Sequence, residues 1–143
     1  MTVVGFDPTA SRETIQLRLI LESELLRHFV TNATDADVKE HADLAAKFAY
    51  TNAAPTSSGT RAANYQLHRH MYELARLPQT LQFVEILWSR CPFYTINEFE
   101  GRTDRAAREH SEILLHIAAR DVELAVNATC RHIVAGWEAL PSS

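Results

Sequence analysis

His110 and His132 are each eleven positions from Asp121. An antiparallel helix pair brings together residues equidistant from its turn. If Asp121 marks that turn, the two imidazoles stand at one height on adjacent helices, about 8–10 Å apart axis to axis. One ion can bridge that gap. Each histidine also falls on an apolar stripe, His110 with Ile113, Leu114 and Ile117, and His132 with Ala125, Thr129 and Ile133, so both should point inward. Asn64 and His68 follow an i, i+4 spacing that stacks them one turn apart on a third helix. Neutral imidazoles suit zinc, nickel, copper or iron, and one amide oxygen leaves positions open for water or an anion. Small neighbours such as Ala125, Ala128 and Thr129 leave room for a ligand beside the ion.

A single inward histidine is usually an ordinary core residue hydrogen-bonded to backbone; three on separate helices, two symmetric about a turn, point to metal. The other four carry less. His70 shares a face with Gln66 and Glu73, and His116 with Glu112, which places both in solvent; periodicity does not place His28 or His41.

Six helices must position these side chains. The first runs from about Ser11 to Thr31, with Ile15, Leu19, Leu21, Leu25, Leu26 and Phe29 on one broad face. Thr34 and Asp35 cap a second that carries Val38, Ala42, Ala45, Phe48 and Ala49 and stops at the loop NAAPTSSG, 52–59. A third spans about Thr60 to Leu77, and Pro78 opens a fourth that Pro92 kinks or breaks. Thr103 or Asp104 caps the fifth, and Asp121 the sixth, which reaches Trp137 before Pro141 ends it. The expected fold is all-α, an antiparallel bundle of about six helices around a buried cavity. Residues 1–10 form a leader and 11–140 the domain.

Composition agrees with that picture and removes several alternatives. Four glycines and five prolines in 143 residues leave long helices uninterrupted and do not supply the turns of a many-stranded fold. Eighteen acidic against fourteen basic residues, a formal charge of −4, give no footprint for a phosphate backbone. Cys91 and Cys130 lack CxxC spacing, so neither a disulfide framework nor a thiolate zinc site is indicated, and a cytoplasmic setting is expected. No stretch reads as a signal peptide or membrane span.

The sequences NYQLH and EHSEILLHIAARDVELAVNATCRHIV, with the upstream Arg18 and Glu22 of LRLILE, resemble the FCD effector domain of GntR-type transcription regulators, from about Glu13 to Trp137. The resemblance implies a helical bundle, usually dimeric, whose cavity binds a small organic acid, and a metal held by one Asp and three His. Those positions correspond here to Asn64, His68, His110 and His132. The amide at position 64 keeps an oxygen donor but removes a negative charge, which should lower metal affinity and raise the attraction for an anionic effector. Zinc is the first expectation, with nickel or iron as further candidates.

Arg18, at the family's arginine position, is the natural partner for an effector carboxylate, since its fork binds one bidentately. The alternative is a solvated helix pair with Glu22. Arg90, Tyr65 and Arg61 are further candidates for the cavity wall. The basic winged-helix head that reads DNA in such regulators has no counterpart in this sequence. The chain would then be a fragment, a truncated regulator or a free-standing sensor, not an enzyme, with DNA reached only through the missing head.

Two other functions remain in view. A di-iron oxygenase would require Glu-x-x-His pairs, and none occurs. A metal-dependent hydrolase or transferase could use Glu109 beside His110 as a base, although no HExxH or HxxxH supports it. A purely structural dimerisation bundle would bind neither ion nor acid.

Overall fold

The computed structural model describes residues 8–53, 57–90 and 102–138, with side chains over 12–47, 66–90, 108–136 and at 138. Six helices follow in order: α1 Pro8–Asn32, α2 Asp35–Ala53, α3 Ser57–Leu74, α4 Pro78–Arg90, α5 Arg102–Ala118 and α6 Val122–Glu138. No strand occurs among the described residues.

Several boundaries follow from side-chain chemistry. Pro8 and Pro78 each open a helix, where the missing N–H costs nothing and the fixed φ already suits the turn. Helix α1 thus begins three residues ahead of the expected Ser11. Thr34 Oγ1 accepts from the Asp37 amide at 3.0 Å while Asp37 Oδ2 accepts from the Thr34 amide at 3.1 Å, a reciprocal box that starts α2. Asp121 Oδ1 accepts from the Leu124 amide at 3.0 Å and so caps α6 as expected. Helix α3 ends at Leu74 rather than Leu77, because Arg76 adopts φ 61° and turns the chain toward Pro78. Thr103 and Asp104 lie inside α5, which begins at Arg102, ahead of both expected caps. Pro92 lies outside the described residues, as do 54–56 of the expected 52–59 loop, while 52–53 belong to α2 and 57–59 to α3.

Helix α1 packs against α3, α4 and α6, while α5 lies between α6 and α2. Its buried face carries Ile15, Leu25, Leu26, Phe29 and Val30, continuous with Met71 and Tyr72 of α3, Val84 and Trp88 of α4, and Ile113 and Ile117 of α5. Burying each of these large side chains contributes about 1.5–3 kcal/mol.

The α5–α6 turn is pinned to the other end of the bundle wall. Arg120, at φ 57°, donates from Nη1 to the carbonyls of Val30 (3.1 Å) and Ala33 (2.7 Å) and from Nη2 to Asp35 (3.0 Å). Those carbonyls end α1, where a cation is favoured by the helix dipole. The contact fixes how α6 lies against α1, and through it the height of His132.

Candidate metal centre

His68 of α3, His110 of α5 and His132 of α6 converge in the interior, 1%, 2% and 7% exposed. Their heights follow from the helix register. The turn of Ala119 to Asp121 lies midway between His110 and His132, whose ring centroids are 6.0 Å apart at 84°. His68 follows the fully buried Leu67 and precedes Met71 by one turn, so it too faces inward. Its ring lies 4.9 Å from His110 and 5.1 Å from His132.

The nitrogens suit an ion. His68 Nε2 and His132 Nε2 are 3.2 Å apart, and one nitrogen from each of the three rings lies within 4.8 Å of the others. With bonds of about 2.05 Å, nitrogens on a tetrahedral zinc stand roughly 3.3 Å apart. The first pair already has ligand spacing, and the third nitrogen lies within 4.8 Å of both. His132 Nδ1 lies 2.7 Å from Glu109 Oε1, so a proton shared there leaves the lone pair of Nε2 facing His68. Glu109 thus holds the His132 imidazole from the side away from His68.

Burial disfavours the charged form of His68 and His110. Desolvation holds His68 well below the ordinary imidazole pKa, helped by the charges of His110, His132 and Arg18. His110 is lowered in the same way, first by burial and then by His132 and His41. Neutral rings are the form in which imidazole binds metal.

Arg18 is 2% exposed and Glu22 1%, so the pair expected as a candidate for solvent is inside the bundle. Arg18 Nε donates to Glu22 Oε2 at 2.7 Å; Tyr72 Oη donates to Oε1 at 2.7 Å and Trp88 Nε1 to Oε2 at 3.1 Å. Three donors on one carboxylate keep Glu22 in place, and the carboxylate in turn holds the guanidinium beside the histidines. Burial, then Glu22, pushes the Tyr72 hydroxyl pKa well above its usual value.

The remaining candidates separate. Asn64 lies on α3 one turn before His68, but its side chain, with those of Tyr65 and Arg61, lies outside the described residues. Arg90 is exposed in the last turn of α4. His70, expected in solvent, is half-buried, its Nδ1 3.4 Å from Nδ1 of the fully buried His41. His41 packs its edge on Phe29 and lies 5.9 Å from His110, and burial followed by the His70 charge lowers its pKa to about 3. Helix α2 thus buries Val38 partly and His41 and Ala45 fully, while Ala42, expected inside, is exposed. Thr129 Oγ1, one turn before His132, is enclosed without a hydrogen-bond partner among the described residues.

The model of the FCD domain matches residues 13–135. The chain belongs to the FCD domain family. An FCD domain is the effector-binding unit of GntR-type regulators, regulatory rather than catalytic, and often binds metal. Among solved structures, E. coli McbR/YncC shares the fold of this FCD domain at TM-score 0.85 and 18% identity, over 96% of this chain and 70% of that one. No curated protein matches the sequence. No helix among the described residues of the FCD domain is long and apolar enough to cross a membrane.

Proposed function

We propose that this FCD domain is the effector-sensing and dimerisation unit of a GntR-type regulator, binding a divalent transition metal and a small organic acid. The observation that carries this reading is the convergence of three enclosed imidazoles, two at ligand spacing and one held by a carboxylate. The residues fit a metal: His68, His110 and His132 supply nitrogen, Asn64 lies at the register for an amide oxygen, and the enclosed Thr129 hydroxyl needs an oxygen or water beside it. Zinc suits that set best, with nickel or iron as alternatives.

An all-neutral protein ligand set leaves the charge of the ion uncompensated, and Arg18 adds a guanidinium next to His68. A small carboxylate relieves both. It would meet the ion on one oxygen and the Arg18 guanidinium on the other. The acid would thereby tie α1 to α3, α5 and α6. Exposed Leu17 and Ile20 on α1 and Phe83 and Ile86 on the adjoining α4 provide apolar surface of the kind a homodimer covers. In a complete regulator, differential binding of the acid to two dimer arrangements would alter how DNA-binding heads are presented.

A thermal-shift screen of small carboxylates, with zinc and with chelator, tests the reading. An acid at about 100 times its Kd should add roughly 2.7 kcal/mol with zinc present. A stabilisation unchanged by chelator, or none from any acid, contradicts it.

A further inference from the structure

Helix α2 brings to the site a histidine that neither the ligand set nor the acid-binding reading uses. His41 is 0% exposed, enclosed by Phe29 of α1, His70 of α3 and His110 of α5. Its two nitrogens differ. Nδ1 faces Nδ1 of His70 at 3.4 Å, whereas Nε2 is buried with no hydrogen-bond partner among the described residues.

The surroundings choose the tautomer. His70 Nε2 lies 3.7 Å from Glu40 Oε2, and a carboxylate favours the proton on the nitrogen nearest to it. His70 then presents the lone pair of Nδ1, and His41 must supply the proton between the two Nδ1 atoms. His41 Nε2 is left as a bare lone pair in the interior. An acceptor buried in this way costs free energy unless a donor reaches it.

A metal-bound imidazole offers such a donor. It ligates through one nitrogen and holds a proton on the other, and fixing that proton sets the ring orientation and strengthens the ligand. Glu109 does this for His132. For His110, a ring contact from outside the three-histidine set comes from His41, at 5.9 Å between centroids and 51° between planes.

We propose that His41 is a positioning residue for the metal site, its Nε2 accepting the ring N–H of metal-bound His110, with His70 and Glu40 fixing the tautomer that makes this possible. The inference rests on the ion-binding reading above. It gives α2 a part in the site through an imidazole, where His132 uses a carboxylate. It also explains why a polar ring occupies a position between Val38 and Ala45 that packing alone would fill with an aliphatic side chain.

The test compares zinc affinity of the wild-type chain, His41→Leu and His41→Gln by competition with a chromophoric chelator. Circular dichroism of the ion-free proteins establishes that each is folded. His41→Leu fills the space without an acceptor and should weaken zinc binding about 10- to 100-fold. His41→Gln places Oε1 near the position of Nε2 and should stay within about threefold of wild type, a rescue that loss of packing would not produce. Side-chain nitrogen NMR of the zinc-loaded wild type should show one protected His110 ring proton, exchanging faster in His41→Leu. Wild-type affinity in a folded His41→Leu overturns this inference alone. Absence of zinc uptake by the wild type overturns the ion-binding reading with it.

Discussion

His132 divides its ring between two partners: Nδ1 lies 2.7 Å from Glu109 Oε1, and Nε2 lies 3.2 Å from His68 Nε2. The first contact fixes which nitrogen carries the proton, and the second places the other nitrogen at ligand spacing. Loss of Glu109 should therefore be felt by the ion more than by the fold. Glu109→Ala is expected to weaken zinc about 10- to 100-fold, while Glu109→Gln, which keeps an acceptor oxygen, loses less. A chelator-competition titration reads the difference.

Glu22 should matter more for stability than surface carboxylates do. Its replacement by alanine strands the buried Arg18 charge and removes the acceptor for Tyr72 and Trp88. Breaking a buried pair from one side costs about 3–5 kcal/mol. The double variant Arg18→Met, Glu22→Leu removes both charges and should regain much of that stability, yet lose the response to carboxylates. Urea denaturation and the carboxylate thermal-shift assay, run on the same two proteins, separate the structural part of the pair from the binding part.

Thr129→Val should have effects of opposite sign. The enclosed hydroxyl has no partner among the described residues, so an isosteric apolar side chain is expected to stabilise the ion-free protein by about 1 kcal/mol. The same change removes a polar wall beside His132 and should reduce the stabilisation by zinc and acid together. Melting temperatures with and without both ligands give the two numbers.

The ion-free protein should be acid-sensitive in a defined window. His68 and His110 are held below the ordinary imidazole pKa by burial, and His41 is lowered to about 3. Unfolded imidazoles bind protons below about pH 6.5 and the buried ones do not, so stability is full above that pH and falls as pH decreases. For His41 the loss continues toward pH 3. Each group contributes about 1.4 kcal/mol per pH unit, about 4 kcal/mol per unit where all three act. Urea midpoints measured at pH 8.5, 7.5 and 5.5 should be nearly level over the first step and drop over the second.

Much of the site could be read before the structure because it depends on register. Equal distances from Asp121 placed His110 and His132 opposite one another, and Asp121 indeed caps α6. His68 followed from its helix face. His41 did not, since the stripe on α2 was drawn through alanines, which tolerate either side of a helix; Ala42 proved exposed and His41 enclosed. The depth of Arg18 and Glu22 was equally hidden: a charged i, i+4 pair ordinarily sits in solvent, and only the arrival of Tyr72 and Trp88 from α3 and α4 makes burial tolerable. Such partners are 50 and 66 positions away along the chain, beyond any local pattern.

The central claim is that three enclosed histidines hold one ion. Zinc titration of chelator-treated protein by isothermal calorimetry, with His132→Ala alongside, tests it most directly. The account predicts one zinc per chain for wild type and at least a tenfold loss of affinity in a folded His132→Ala. Uptake of no zinc by wild type, or equal uptake by the variant, would contradict it.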